Sequence, residues 1–378
     1  LRPIELASHA LAEPHPSLRV SLVSTRYRRA CAVPALALSS LRQKLKVFQE
    51  PRLGQSLVEL ALTVGPLTVI WAAAWVAAKF GLWWLALLLS VPAAGFVVRL
   101  FMIQHDCGHR SFFQSPAAND WVGRFIGAIT VTPYDCWRRT HAIHHATSGD
   151  LDRRGLGALT TLTVEEFQGK SRRGRFLYRL YRNPLVLFVL GPFYVFFLLQ
   201  RLPMGLMREG FRPWISAMAT NAMIALLVGL AWWLGGWQGV LLVHLSTMWL
   251  AASIGVWLFY VQHNFDNAYW ERTARWSPMQ AAVHGSSHYD LPPILRWMTA
   301  NIDIHHVHHA DSRIPFYSLR RVLRQHPEFR DVSRLTFMRS LRAIPLALWD
   351  EKRKQLISFR EERAERAMSN NKRHDEQR

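Results

Sequence analysis

The sequence predicts an all-α integral membrane protein, with four transmembrane helices in two hairpins beneath a cytosolic histidine-rich cap and interfacial helices. Three observations predict it. Half of the 378 residues are hydrophobic, and they gather in runs of nearly spanning length rather than in amphipathic stripes. The basic residues lie mainly in loops and tails flanking those runs, as the cytoplasmic lipid face favours. Eight histidines form three tight groups beside the runs: His105/His109, His141/His144/His145 and His305/His308/His309.

Residues 1–50 hold eight Lys or Arg and three acidic residues with no sustained hydrophobic period. They are expected to form a flexible or interfacial basic arm, and their Ser-containing composition admits a transit peptide. The membrane domain is expected over residues 55–325. Its first hairpin pairs spans at 60–78 and 82–104 across the short break Lys79-Phe80-Gly81. The second of these helices carries His105 and His109 just beyond the hydrocarbon edge. A second hairpin pairs 214–234 with 241–260 through Gly235-Gly236-Trp237-Gln238, where Trp232, Trp233 and Trp237 suit an aromatic belt. Between the hairpins, Pro184–Gln200 is apolar but has Arg175, Arg179 and Arg182 on one flank and Arg201, Arg208 and Arg212 on the other. Both ends then prefer the same side, so this segment is expected to be interfacial or re-entrant. Four spans return all the histidine groups to one face, with both termini cytoplasmic, and a bacterial inner membrane is the expected location. Residues 326–378 read as a charged tail, which from about residue 345 is expected to be a charged helix or disordered.

A net charge of +20 raises the question of nucleic acid, but no nucleic-acid motif accompanies it. Cys31, Cys107 and Cys136 form no CxxC pair or disulfide framework, which suits a reducing compartment. The chemistry is in the imidazoles. Histidine is the commonest side-chain ligand for redox-active metals, and i, i+3 and i+4 spacing puts rings on one helical face. In His105-Asp106-Cys107-Gly108-His109 the two rings are one turn apart, and Asp106 is placed to accept from a ring and fix its tautomer. In 141–145 and 305–309 the same spacing recurs, with His306 pointing away. His263 follows the fourth span as His105 follows the second, and is a ninth candidate ligand. His244, within an apolar run, is expected to be buried and neutral or on a substrate path. His284 and His288 are weaker candidates in a loop.

Eight or nine nitrogens suffice for two metal ions. Four per zinc would close a structural tetrahedral site, whereas the surplus beside a membrane favours oxidative attack on hydrocarbon. Two rival classes stay open. One is a zinc-binding membrane hydrolase or receptor. The other is a bis-histidine haem protein, although the histidines lie outside the spans.

His-Asp-Cys-Gly-His at 105–109, Trp-x-x-x-His-x-x-His-His at 137–145 and His-x-x-His-His at 305–309 resemble the three histidine boxes of membrane fatty acid desaturases. The similarity extends to Gln262-His263-Asn264-Phe265 and to 301–315. The first box is most similar to the acyl-lipid delta-12/omega-6 branch, which converts oleoyl to linoleoyl chains of membrane phospholipids or glycolipids. The resemblance implies two iron ions held by His105, His109, His141, His144, His145, His263, His305, His308 and His309, with O2 as co-substrate. No His-Pro-Gly-Gly segment of a fused cytochrome b5 is present, so the two electrons are expected from a separate ferredoxin or cytochrome b5. Phe259 stands where the acyl-CoA branch has an Asn four residues before the extra histidine. Phe101, Phe112, Phe113, Trp137 and Tyr260, near the membrane edge, are candidates for the substrate tunnel or its entrance. A hydroxylase, ketolase or alkane monooxygenase on the same kind of centre is the nearest enzymatic alternative.

Overall fold

A computed structural model describes residues 43–330 and 332–375 of the chain. Residues 1–42, most of the expected basic arm, lie outside the described residues. Helices dominate, and among the described residues three helical runs are long and apolar enough to cross a membrane: α1 (Leu53–Lys79), α2 (Trp83–His109) and the run Phe211–His263. The last of these comprises α6 (Phe211–Gln238), a wider π-type segment at Gly239–Leu245 and α7 (Ser246–His263).

The helices outrun the apolar stretches that announced them. α1 begins at Leu53 rather than near residue 60, and it carries Glu59 inside it. That carboxylate is tolerated because it pairs with Arg99 of α2, whose guanidinium also donates to Ser/Thr-type and backbone oxygens at Thr63 and Trp297. α2 runs to His109 rather than ending near 104, so the first two histidines sit in its final turns. The expected four-residue connection at 235–238 narrows to one residue. Only Gly236 leaves helical geometry, with φ 63° and ψ −167°, a conformation that a side chain would strain. Residues 186–201 form tight and wide helical turns bent 60° from α5 (Arg172–Tyr181).

Between α2 and α5, α3 (Pro116–Ile129) starts from a Ser115 side-chain cap with Pro116 in its first turn. It leads to α4 (Tyr134–Thr147), which carries the second histidine group. The cap is completed by α8 (Pro278–His284), α9 (Pro293–Met298), α10 (His305–Ala310) and α11 (Phe316–Gln325).

The all-α expectation needs correction in this cap. Strand β1 (Leu162–Thr163) pairs in parallel with β4 (Leu346–Asp350), which pairs antiparallel with β5 (Gln355–Ser358). A second sheet joins β2 (His288–Asp290) to β3 (Arg334–Thr336) in parallel. Strands of two to five residues are too short for alternation to show in sequence. The correction extends to the expected tail. Every residue of β4 is buried, so residues 334–358 belong to the cap, and only α12 (Phe359–Asp375) matches a charged terminal helix.

Candidate metal centre

Three helix ends and one short helix bring nine imidazoles together. α2 contributes His105 and His109, α4 contributes His141, His144 and His145, α7 ends at His263, and α10 contributes His305, His308 and His309. Local packing sets the approach of α4 to α2. Tyr134 donates its hydroxyl proton to the Cys107 carbonyl at 2.9 Å, and Trp137 packs over Gly108 so closely that a Cβ there would lie 2.7 Å from the indole. The glycine of the first histidine motif is therefore a packing requirement. The Trp137 ring in turn stacks on His141, 4.6 Å between centroids and 16° from parallel.

The nine rings resolve into two groups. His105, His109, His141, His145 and His308 form one; His144, His263, His305 and His309 form the other. Within each, the possible ligand nitrogens all lie within 4.8 Å of one another. The groups adjoin where His145 and His309 stack, 4.1 Å between centroids. In the four-histidine group, His263 Nε2 lies 3.1 Å from His144 Nε2 and 3.0 Å from His305 Nε2. In the five-histidine group, His145 Nε2 lies 3.1 Å from His141 Nε2 and 3.2 Å from His308 Nε2. Two nitrogens so spaced, each about 2.1 Å from one cation, subtend roughly 95° at it. The Nε2 atoms of His105, His109 and His309 are buried without any hydrogen-bond partner. Converging lone pairs and partnerless buried nitrogens are what a nitrogen-ligated metal pair needs, and five donors exceed a tetrahedral zinc set.

Electrostatics agree with ligation. Burial, and secondarily the neighbouring imidazoles, hold His141, His144, His145, His305, His308 and His309 well below the ordinary histidine range. The rings are neutral at pH 7, as ligands must be. Outer contacts orient them. Asp106 Oδ1 accepts from His105 Nδ1 at 3.3 Å, while Oδ2 accepts the Phe316 N–H at 2.7 Å. His263 Nδ1 faces the Gly285 carbonyl at 3.3 Å. His306 points away, donating from Nε2 to the Phe329 carbonyl at 2.8 Å. His284 and His288 are buried but join neither group, and His244 sits between Trp71 and Trp75.

A cavity of about 310 Å³ opens beside the groups and touches His105, His141 and His305. Its walls are mainly apolar: Val97, Phe101 and Met102 from α2, Ala251, Gly255 and Phe259 from α7, with Val195 and Phe196 from the bent segment. Of the expected tunnel aromatics, Phe101 and Trp137 line it. The other three do not. Phe112 packs on Phe113 and Phe316, and Tyr260 donates to the Ala343 carbonyl. Arg138 and Arg139 are held by Asp120 and Glu209. Sequence reading missed Met248, Ala251, Ala252 and Gly255, because a cavity-facing apolar residue carries the same signal as a lipid-facing one.

Residues 82–340, which contain all nine histidines, match the fatty acid desaturase family. A protein of Bacillus subtilis named fatty acid desaturase is 42% identical over 320 residues, covering 85% of this chain and 90% of that one. Two Synechocystis proteins are more distant. An sn-1 acyl-lipid omega-3 desaturase (ferredoxin) is 27% identical over 285 residues, 72% of this chain and 75% of its own length. An sn-1 oleoyl-lipid 12-desaturase is 28% identical over 232 residues, 58% of this chain and 62% of its own length.

Proposed function

This chain belongs to the fatty acid desaturase family and is a desaturase, and from that premise we propose that it introduces a cis double bond into lipid-linked acyl chains, converting oleoyl to linoleoyl at a histidine-ligated di-iron centre. The observation that carries this reading is the mainly apolar cavity lined by His105, His141 and His305, which belong to two adjoining nitrogen-only groups. His105, His109, His141, His145 and His308 would hold one iron; His144, His263, His305 and His309 would hold the other. Bound iron supplies activation of dioxygen strong enough to break an unactivated C–H bond, which side-chain acids, bases and nucleophiles do not achieve.

The protein's own part is positional. The cavity walls hold a methylene pair beside the histidines and keep water from it. Phe259 packs against both His144 and His263, 5.0 and 5.2 Å between centroids, and closes the cavity on that side. Overall, one CH2–CH2 unit, O2, two electrons and two protons yield a CH=CH unit and two waters. The electrons require a donor, here a separate ferredoxin or cytochrome b5-type carrier; a ferredoxin is printed in the name of one Synechocystis relative. The delta-12 position rests on the first histidine motif and on the oleoyl-lipid relative at 28% identity.

Four spans, α1, α2, α6 and α7, form two hairpins and carry the nine candidate ligands to the cytoplasmic face of a bacterial inner membrane. The break at Gly236 and the arginines flanking residues 186–201 support this arrangement.

Expression in an oleate-rich host with a compatible donor tests the function. Linoleate should accumulate with the natural chain and fall by at least ~100-fold with His144→Ala, a larger loss than outer contacts of metal ligands produce. Hydroxylated or keto chains instead of a diene would favour a monooxygenase, and a double bond elsewhere would move the regiochemistry.

A further inference from the structure

The cavity extends well below the histidines, and one of the residues lining it partway down has no side chain. α2 and α7 pack against each other and run toward the histidines in the same direction. Val97 lies eight residues before His105, and Gly255 lies eight residues before His263. At 1.5 Å per residue, both sit about 12 Å below the histidine level. Both line the same cavity. Below them the lining continues through Ala252, Ala251 and Met248 of α7, the last about 22 Å from His263 along the helix. A Cβ built on Gly255 meets nothing within 4 Å, so open space stands there. Gly255 lies mid-helix with ordinary helical dihedrals, so conformation does not demand a glycine. Glycine also weakens a helix relative to alanine. Its presence therefore leaves cavity space at this depth that a larger side chain would take up.

We infer that Gly255 is a specificity-determining residue: its missing side chain lets the distal end of the acyl chain pass into the lower cavity, and so sets the chain length accepted. This rests on the acyl-desaturation reading above. A leucine at 255 would fill the open space beside that position and so shorten the room below it. Chains whose distal segment needs that space then lose their fit, while shorter ones keep theirs.

The test expresses the full chain, Gly255→Ala and Gly255→Leu in hosts whose membranes carry myristoleoyl, palmitoleoyl and oleoyl chains, with the same electron donor. Product is measured by chain length and bond position, and iron content is measured on each purified protein. Gly255→Leu should raise the ratio of short-chain to oleoyl-derived product by ~10-fold or more, the discrimination that one or two methylenes give in an apolar site. Gly255→Ala should shift it in the same direction by less. An unchanged ratio in both variants overturns the inference, and so does uniform loss across all lengths with iron retained. Absence of desaturated product from the natural chain would overturn the functional reading instead, which separates the two failures.

Discussion

Asp106 joins two parts of the centre through two oxygens. One faces the His105 ring and the other holds the Phe316 backbone N–H, 210 positions away in sequence. Asp106→Asn keeps the size but replaces one acceptor by a donor, so it sacrifices either the ring contact or the backbone contact. Turnover is expected to fall about 10- to 100-fold with the protein still folded, measured beside iron content and rescued in part by Glu. Turnover equal to the natural chain's would remove Asp106 from this role. At this scale much was legible. All nine candidate histidines, His263 included, fall into the two groups, and His306 turns away as its spacing indicates. Their distribution was not legible. The second and third motifs are each split between groups, His144 from His141 and His145, His308 from His305 and His309. Helical neighbours point about 100° apart, so which group each ring joins depends on how α2, α4, α7 and α10 pack.

At the scale of elements, the buried pair Glu59–Arg99 explains why α1 and α2 extend past their apolar runs. Arg99 is 1% exposed and lies over the Trp297 ring, 4.2 Å from its centroid, so the pair also ties α9 to α2. Glu59→Gln strands a buried cation. It should cost about 3–5 kcal/mol, read as a lowered unfolding midpoint in detergent, while Glu59→Gln with Arg99→Met should recover much of the loss. Unchanged unfolding of the single variant would show that the pair is dispensable. Sequence located the long helices well because apolar runs are long signals. It placed their ends poorly, because charges inside a helix look like boundaries until their partners are known. The strands escaped for the opposite reason: β1 has two residues, and what defines it is β4, nearly two hundred positions later.

The whole molecule works by returning distant segments to one place. Arg182 donates to Asn264 and to the Leu346 carbonyl, and Tyr260 donates to the Ala343 carbonyl, so the end of α7 is held by residues that read in isolation as a charged tail. That clamp lies immediately before and after His263 in sequence. The cap thus fixes the ninth imidazole, and composition alone gives no hint of it, since the one arginine in the clamp, Arg182, resembles those that merely face lipid headgroups. In the proposed centre, nine histidines drawn from four helices bind two irons in separate groups. Metal analysis of the purified full-length protein and of His144→Ala tests it most directly. About two irons per chain are expected for the natural protein, and about one for the variant, which depletes the four-histidine group and leaves five donors intact. A single zinc per chain, unchanged by His144→Ala, would contradict it.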